Sequence, residues 1–170
     1  MQPGFSFQSV RPLTNLIWQA RQGVLRRQAD EVARLVGFTD KEMARCLGMS
    51  VRSLHSKTDT DVLPPAAGER LLLLERLIHH GLRVFDGRTD LLVRWLRTPL
   101  AELAYRDTTD QAESIALRSI GRFDEPFTKS APASHSSPVV PQSPLALLDM
   151  VSGFSLADDV LGRIEWGITG

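Results

Sequence analysis

The stretch AAGERLLLLERLIHHGLRVFDG, residues 66–87, leaves a chain of this kind few ways to fold. Leu71, Leu74, Leu77, Ile78, Leu82 and Phe85 recur at helical spacing, and an apolar stripe of that length has to be covered from end to end. Pro64 and Pro65 introduce this helix and Gly87 closes it, so it is expected at the centre of the fold. With 170 residues, 42% of them hydrophobic, the chain has material for one ordinary domain or two small ones around it. No segment shows a convincing strand pattern, and an all-α architecture is expected.

The neighbouring segments supply the covers. Leu16 to Val36 reads as one helix ended by Gly37, with Leu25, Ala29, Val32 and Val36 inward and Arg26, Arg27, Asp30 and Arg34 turned away. TDLLVRWLR puts Leu91, Leu92, Trp95 and Leu96 on one face and stops at Thr98, because Pro99 disfavours helical geometry in the residue before it. Gln111 to Ile120 reads as a further helix, and the Ser/Pro-rich TKSAPASHSSPVVPQS as a linker. Ser143 and Pro144 then start a brief helix. A last helix carries Ala157, Val160, Leu161, Ile164 and Ile168 on one face, with exposed Asp158 and Asp159 near its start. No stretch is long and apolar enough to span a membrane, and the start lacks the pattern of a signal peptide, so a cytoplasmic protein is expected.

Between these elements lies FTDKEMARCLGMSVRSLHSK. Thr39 with Glu42 forms a capping box, Gly48 suits a positive φ, and Ser50 caps a second short helix. Ala44, Gly48, Met49 and Leu54 have the sizes that a helix-turn-helix requires. Its outer face would present Ser50, Arg52, Ser53, Ser56 and Lys57 to DNA, with Arg52 suited to a guanine edge and Ser53 and Lys57 to phosphates. Charge agrees with that placement: residues 1–60 carry 9 basic and 5 acidic groups, residues 101–170 carry 5 and 10. So short and weakly basic a reading helix calls for a dimer or larger assembly on repeated half-sites.

Catalytic and metal chemistry find no support. His79 and His80 are adjacent, hence about 100° apart on a helix, without a third ligand at metal spacing. Cys46 is the single cysteine and reads as a small core residue. Phosphate-loop, dinucleotide and nucleophile-elbow patterns are missing, and no cofactor is called for.

The chain closes on LGRIEWGITG, where Trp166 lies two residues past Ile164 and so turns away from the apolar stripe. Either an outside cleft receives it, or it folds back on the long helix while Arg163 pairs with an acidic neighbour. LGRIEWG, the earlier SPLALLD and FDGRTDLLVRWLRTP together resemble the Xre/MbcA/ParS family of toxin-binding antitoxins, over about 120 of the 170 residues. The resemblance implies an antitoxin of a type II toxin-antitoxin system. Its cognate RES-domain toxin would be NAD-consuming or ADP-ribosylating, with its active site blocked by the antitoxin's C-terminal helix, and the N-terminal module would repress the operon by binding operator DNA. It also implies toxin contacts at Arg163, Glu165, Trp166 and Gly167, supported by Trp95, Arg97, Thr98, Pro99 and Leu148. The organisation that follows is a DNA-binding region over 1–65, central helices over 66–99, an insertion with its linker over 100–142, and the C-terminal part of the toxin-binding module over 143–170. The family crosses the third region in a few residues, and this chain spends more than forty. A homodimer, or a hetero-oligomer with the toxin, is expected. The alternative is a dimeric helix-turn-helix regulator without a toxin partner.

Overall fold

A computed structural model describes residues 13–106 and 139–167. In chain order these form α1 (Leu13–Gln22), α2 (Arg26–Val36), α3 (Asp40–Leu47), α4 (Val51–His55), α5 (Pro65–Val84), α6 (Thr89–Arg97), β1 (Leu100–Arg106), β2 (Val139–Gln142), α7 (Pro144–Leu147) and α8 (Val151–Glu165). The fold is predominantly helical, as its periodicity predicts. The expected helix at Gln111 to Ile120 and the apolar position Ile168 lie outside the described residues.

Helix α5 is the centre. Leu71, Leu74, Leu77, Ile78 and Leu82 are buried, and the helix packs against α1, α3, α6 and α8. Burying each such side chain contributes about 1.5–3 kcal/mol relative to leaving it in water. Gly81 sits where α5, α6 and α8 converge: a Cβ there would lie 2.4 Å from Leu92 Cδ1 and 3.5 Å from Leu161 Cδ1. Small size at that position lets the three helices approach. The buried residues run without a break from Val24 in the N-terminal half to Leu161 near the end of α8, in one core.

The expected single helix from Leu16 to Val36 is two. Gly23, at φ 92°, starts a break at which Leu25 pairs with Val62 as an isolated antiparallel bridge, with Leu63 N–H donating to Val24 O at 2.8 Å. The apolar period continues across this break, which hides it from a pattern reading. Arg26 also departs from expectation: it is buried, not turned away, because its Nε donates to Leu54 O at 3.1 Å and its Nη1 pairs with Asp30.

Two strands correct the expectation of none. β1 and β2 pair antiparallel, Leu100 opposite Gln142 and Arg106 opposite Val139, with an irregularity between Leu100 and Tyr105. The end of the Ser/Pro-rich stretch is therefore a strand. Its pairing brings the chain back beside α6 and delivers it to α7, where Ser143 caps through Ala146 N–H as expected. The last helix is longer than expected and starts at Val151, which puts Asp158 and Asp159 in its middle. Asp158 is half-buried, not exposed. Gly153 explains the earlier start: its missing side chain admits Leu147 O, which would stand 1.8 Å from a Cβ.

Candidate functional site

The helix-turn-helix forms with the caps its sequence predicts. Thr39 Oγ1 accepts from Glu42 N–H at 3.2 Å, and Glu42 Oε2 accepts from Thr39 N–H at 2.8 Å. Gly48 takes φ 67°, and Ser50 Oγ accepts from Ser53 N–H at 3.0 Å. Ala44 and Leu54 are buried between the helices, and Met49 packs partly buried at their edge. His55 Nε2 meets Asp40 Oδ2 at 2.8 Å, tying the end of α4 to the start of α3.

The five residues expected to face DNA are brought onto α4 and its flanks, in different states. Arg52 is exposed and makes no ion pair among the described residues, so its guanidinium is available to a base edge or a phosphate. Ser50 and Ser53 bond to each other, Oγ to Oγ at 2.9 Å, and Ser56 Oγ donates to Ser53 O at 2.9 Å. These serines hold the short helix together. Lys57 is half-buried, and its charge helps to hold the Asp61 carboxyl below its usual range, after the larger effect of the Thr58 hydrogen bonds. Arg26 is the residue that pattern reading missed here. It donates to the Leu54 carbonyl at the open end of a helix only five residues long, a carbonyl that Lys57 N–H also reaches at 3.4 Å.

At the other end, Trp166 closes α8 and is 79% exposed. Its N–H donates to Gly162 O at 3.1 Å, and Gly167, at φ 67°, returns its own N–H to Ile164 O at 3.1 Å. The last turn is therefore hydrogen-bonded while its indole stands in solvent. Arg163, one turn earlier, is exposed and makes no ion pair among the described residues. Glu165 behaves differently from these two: it reaches back to His80 of α5, Oε2 to Nε2 at 3.2 Å. On the other side of the same ring, Nδ1 meets Asp158 Oδ1 at 2.6 Å, and Arg76 Nη2 stands 3.7 Å from Asp158 Oδ2. The sequence offered no local signal for this group, because its members are up to 85 residues apart.

The residues expected to support that end fall into two kinds. Trp95 and Leu148 are buried, with the Trp95 ring 6.4 Å from that of Phe85. Thr98 Oγ1 donates to Arg94 O at 2.7 Å just before the exposed Pro99. Arg97 points to the helix-turn-helix instead. Its Nη1 donates to Glu42 Oε1 at 2.5 Å, its Nη2 to Gly37 O at 3.0 Å, and its guanidinium lies 6.0 Å from the centre of the Phe38 ring. This contact holds the Glu42 carboxyl down at about 2, with the Thr39 cap adding to the same direction against the opposing effect of burial. Two further arginines join the halves: Arg45 Nη2 donates to Leu145 O at 2.9 Å and Arg70 Nη1 to Asp149 O at 2.6 Å. Cys46, in the core, has its thiol pushed up to about 12 by burial, which removes it from nucleophilic chemistry. No group of three or more potential metal ligands occurs among the described residues, and none of their helices is long and apolar enough to cross a membrane.

Residues 16–76 match the family described as the antitoxin Xre-like helix-turn-helix domain. The match takes in α2 to α4, the capping box, the Gly48 turn and the first part of α5, and it supports a DNA-binding antitoxin or regulator. No curated protein matches the chain.

Proposed function

We propose that this protein is the antitoxin of a type II toxin-antitoxin pair, a binding protein with two faces on one core. Residues 1–65 engage operator DNA and repress the operon. Residues 66–99 carry the central helices, 100–142 are an insertion, and 143–170 complete the surface that receives a RES-type toxin. The toxin consumes NAD or transfers ADP-ribose, and the end of α8 obstructs its active site. The observation that carries this reading is Trp166, a large apolar side chain held in solvent on a hydrogen-bonded helix end, with the uncompensated Arg163 beside it. Tryptophan and arginine are the residue types that most often dominate binding energy when a pocket desolvates them.

DNA binding through so short an α4 needs two copies. The surface best suited to a second copy is α1, where Ile17 and Trp18 are exposed beside an apolar groove of about 730 Å³ between α1 and α5. Arg21 and Glu69 line that groove, and in a twofold dimer that brings Arg21 of one copy to Glu69 of the other the pair forms twice.

The test is co-expression with the neighbouring reading frame. A RES-type toxin there should be neutralised and should co-purify with this protein. Trp166→Ala or Arg163→Ala should weaken the complex by about 2 kcal/mol, roughly thirtyfold, while promoter binding in a gel shift stays within about twofold. A neighbour that forms no complex and whose toxicity is not relieved would leave the alternative, a dimeric regulator acting on DNA alone.

A further inference from the structure

We infer that His80 is a positioning residue: a doubly protonated imidazolium that locks the last turn of α8 onto α5 and so sets the direction in which Trp166 and Arg163 project. This inference rests on the toxin-binding reading for its purpose and on geometry for its existence. Both ring nitrogens face a carboxylate, Nδ1 to Asp158 at 2.6 Å and Nε2 to Glu165 at 3.2 Å. A neutral imidazole has one N–H and one acceptor nitrogen, so it can donate to one of these carboxylates and must present a lone pair to the other. Only the imidazolium donates to both.

The charges agree. The groups around the ring are Asp158 and Glu165 from α8 and Arg76 from α5, with Glu75 and His79 beside them along α5. The two carboxylates that meet the ring have Arg76 as a single cation near them, 3.7 Å from Asp158, and a charged ring supplies the second positive charge. The His80 side chain is 14% exposed, whereas that of Glu165 is 43% exposed. Asp158 is thus the inner, better shielded partner, and Glu165 is the outer one, next to Trp166 in the chain. Deprotonation leaves Nδ1–H on Asp158, the shorter contact, and sets the Nε2 lone pair against Glu165. The terminal turn is then repelled from α5. The role implied for Glu165 changes accordingly, from touching the toxin to aiming the residues that do.

Imidazole ordinarily titrates between about pH 5 and 8, which gives the experiment its range. In the free protein, without toxin, ring nitrogen shifts of His80 and the helical carbon shifts of Ile164 and Glu165 are followed by NMR from about pH 5.5 to about pH 8. The expected result is an imidazolium at low pH, with the helical shifts of both residues falling toward coil values as the ring loses its proton. Glu165→Gln discriminates. Its amide can donate to a neutral Nε2, so the turn should stay closed across the range and the slope should vanish. His80→Asn, which mimics Nδ1 alone, should give the open shifts at every pH. Wild-type shifts that stay flat while the ring titrates, or an unchanged slope in Glu165→Gln, would overturn the inference whether or not a toxin binds. If a toxin does bind, its wild-type affinity should fall roughly threefold over the same range, and that of Glu165→Gln should not.

Discussion

Glu42→Gln probes the contact that joins the end of α6 to the helix-turn-helix. Glutamine keeps the capping box when its side-chain oxygen accepts from Thr39 N–H, and it then turns an amide N–H toward Arg97, so the substitution removes both the charge and the acceptor that Arg97 meets. In the folded protein the Glu42 carboxyl lies at about 2 instead of 4.5, chiefly through the Arg97 hydrogen bond. A lowered carboxyl contributes stability that is fully present above the unfolded value and is lost as the pH falls through the folded one. The window is therefore from 4.5 down to about 2. At full weight the depression corresponds to about 3 kcal/mol. With the Arg97 side chain 41% exposed, solvent screening reduces this to about 1–2 kcal/mol. Urea unfolding at about pH 6 and about pH 3 gives the measure, as the wild-type loss over that interval minus the loss in Glu42→Gln, which cancels the other carboxylates. The wild type should lose about 1 kcal/mol more. Arg97→Ala should flatten the profile equally. Equal losses in wild type and Glu42→Gln would show that this contact carries no net stability, and the account of how α6 is fixed to α3 would fail.

Replacing Arg52 and Lys57 together with alanine should weaken promoter binding at least tenfold and leave urea stability within about 0.5 kcal/mol, as a gel-shift titration and a melt would report. Gly153→Ala drives a Cβ into the Leu147 carbonyl and should destabilise by about 1–3 kcal/mol. Gly81→Ala crowds the buried Leu92 side chain, which can shift where a backbone carbonyl cannot, and gains helix propensity, so its melting temperature should fall less. Trp18→Glu should convert a dimer to a monomer by light scattering and lower promoter affinity without affecting the fold. An unchanged mass would remove α1 from the assembly.

What the sequence conveyed was local. The Thr39–Glu42 box, the Gly48 turn and the Ser50 cap each act within a few residues, and each forms as read. The stripe on α5 was equally legible because its covers lie along its whole length. Contacts made across the chain were not. Arg26 is interior because of a carbonyl 28 residues away, and β1 is a strand because of a partner beyond residue 138. The start of α8 was hidden by Ser152 and Gly153, poor helix formers that packing against Leu147 overrides. At the candidate site the exposure of Trp166 followed from its angle on the helix, whereas the inward turn of Glu165 depended on His80, which no spacing links to it.

The ladder between β1 and β2 acts as a bracket. It fixes Arg106 and Val139 opposite each other, about 5 Å apart, at the mouth of whatever chain runs between them. Closing a loop costs only slowly more as it lengthens. Helices α6 and α7 are thus insulated from the size of the intervening stretch, and a foreign domain whose own ends lie close together could be spliced there, giving a reporter that rides on the protein without disturbing α4 or the end of α8.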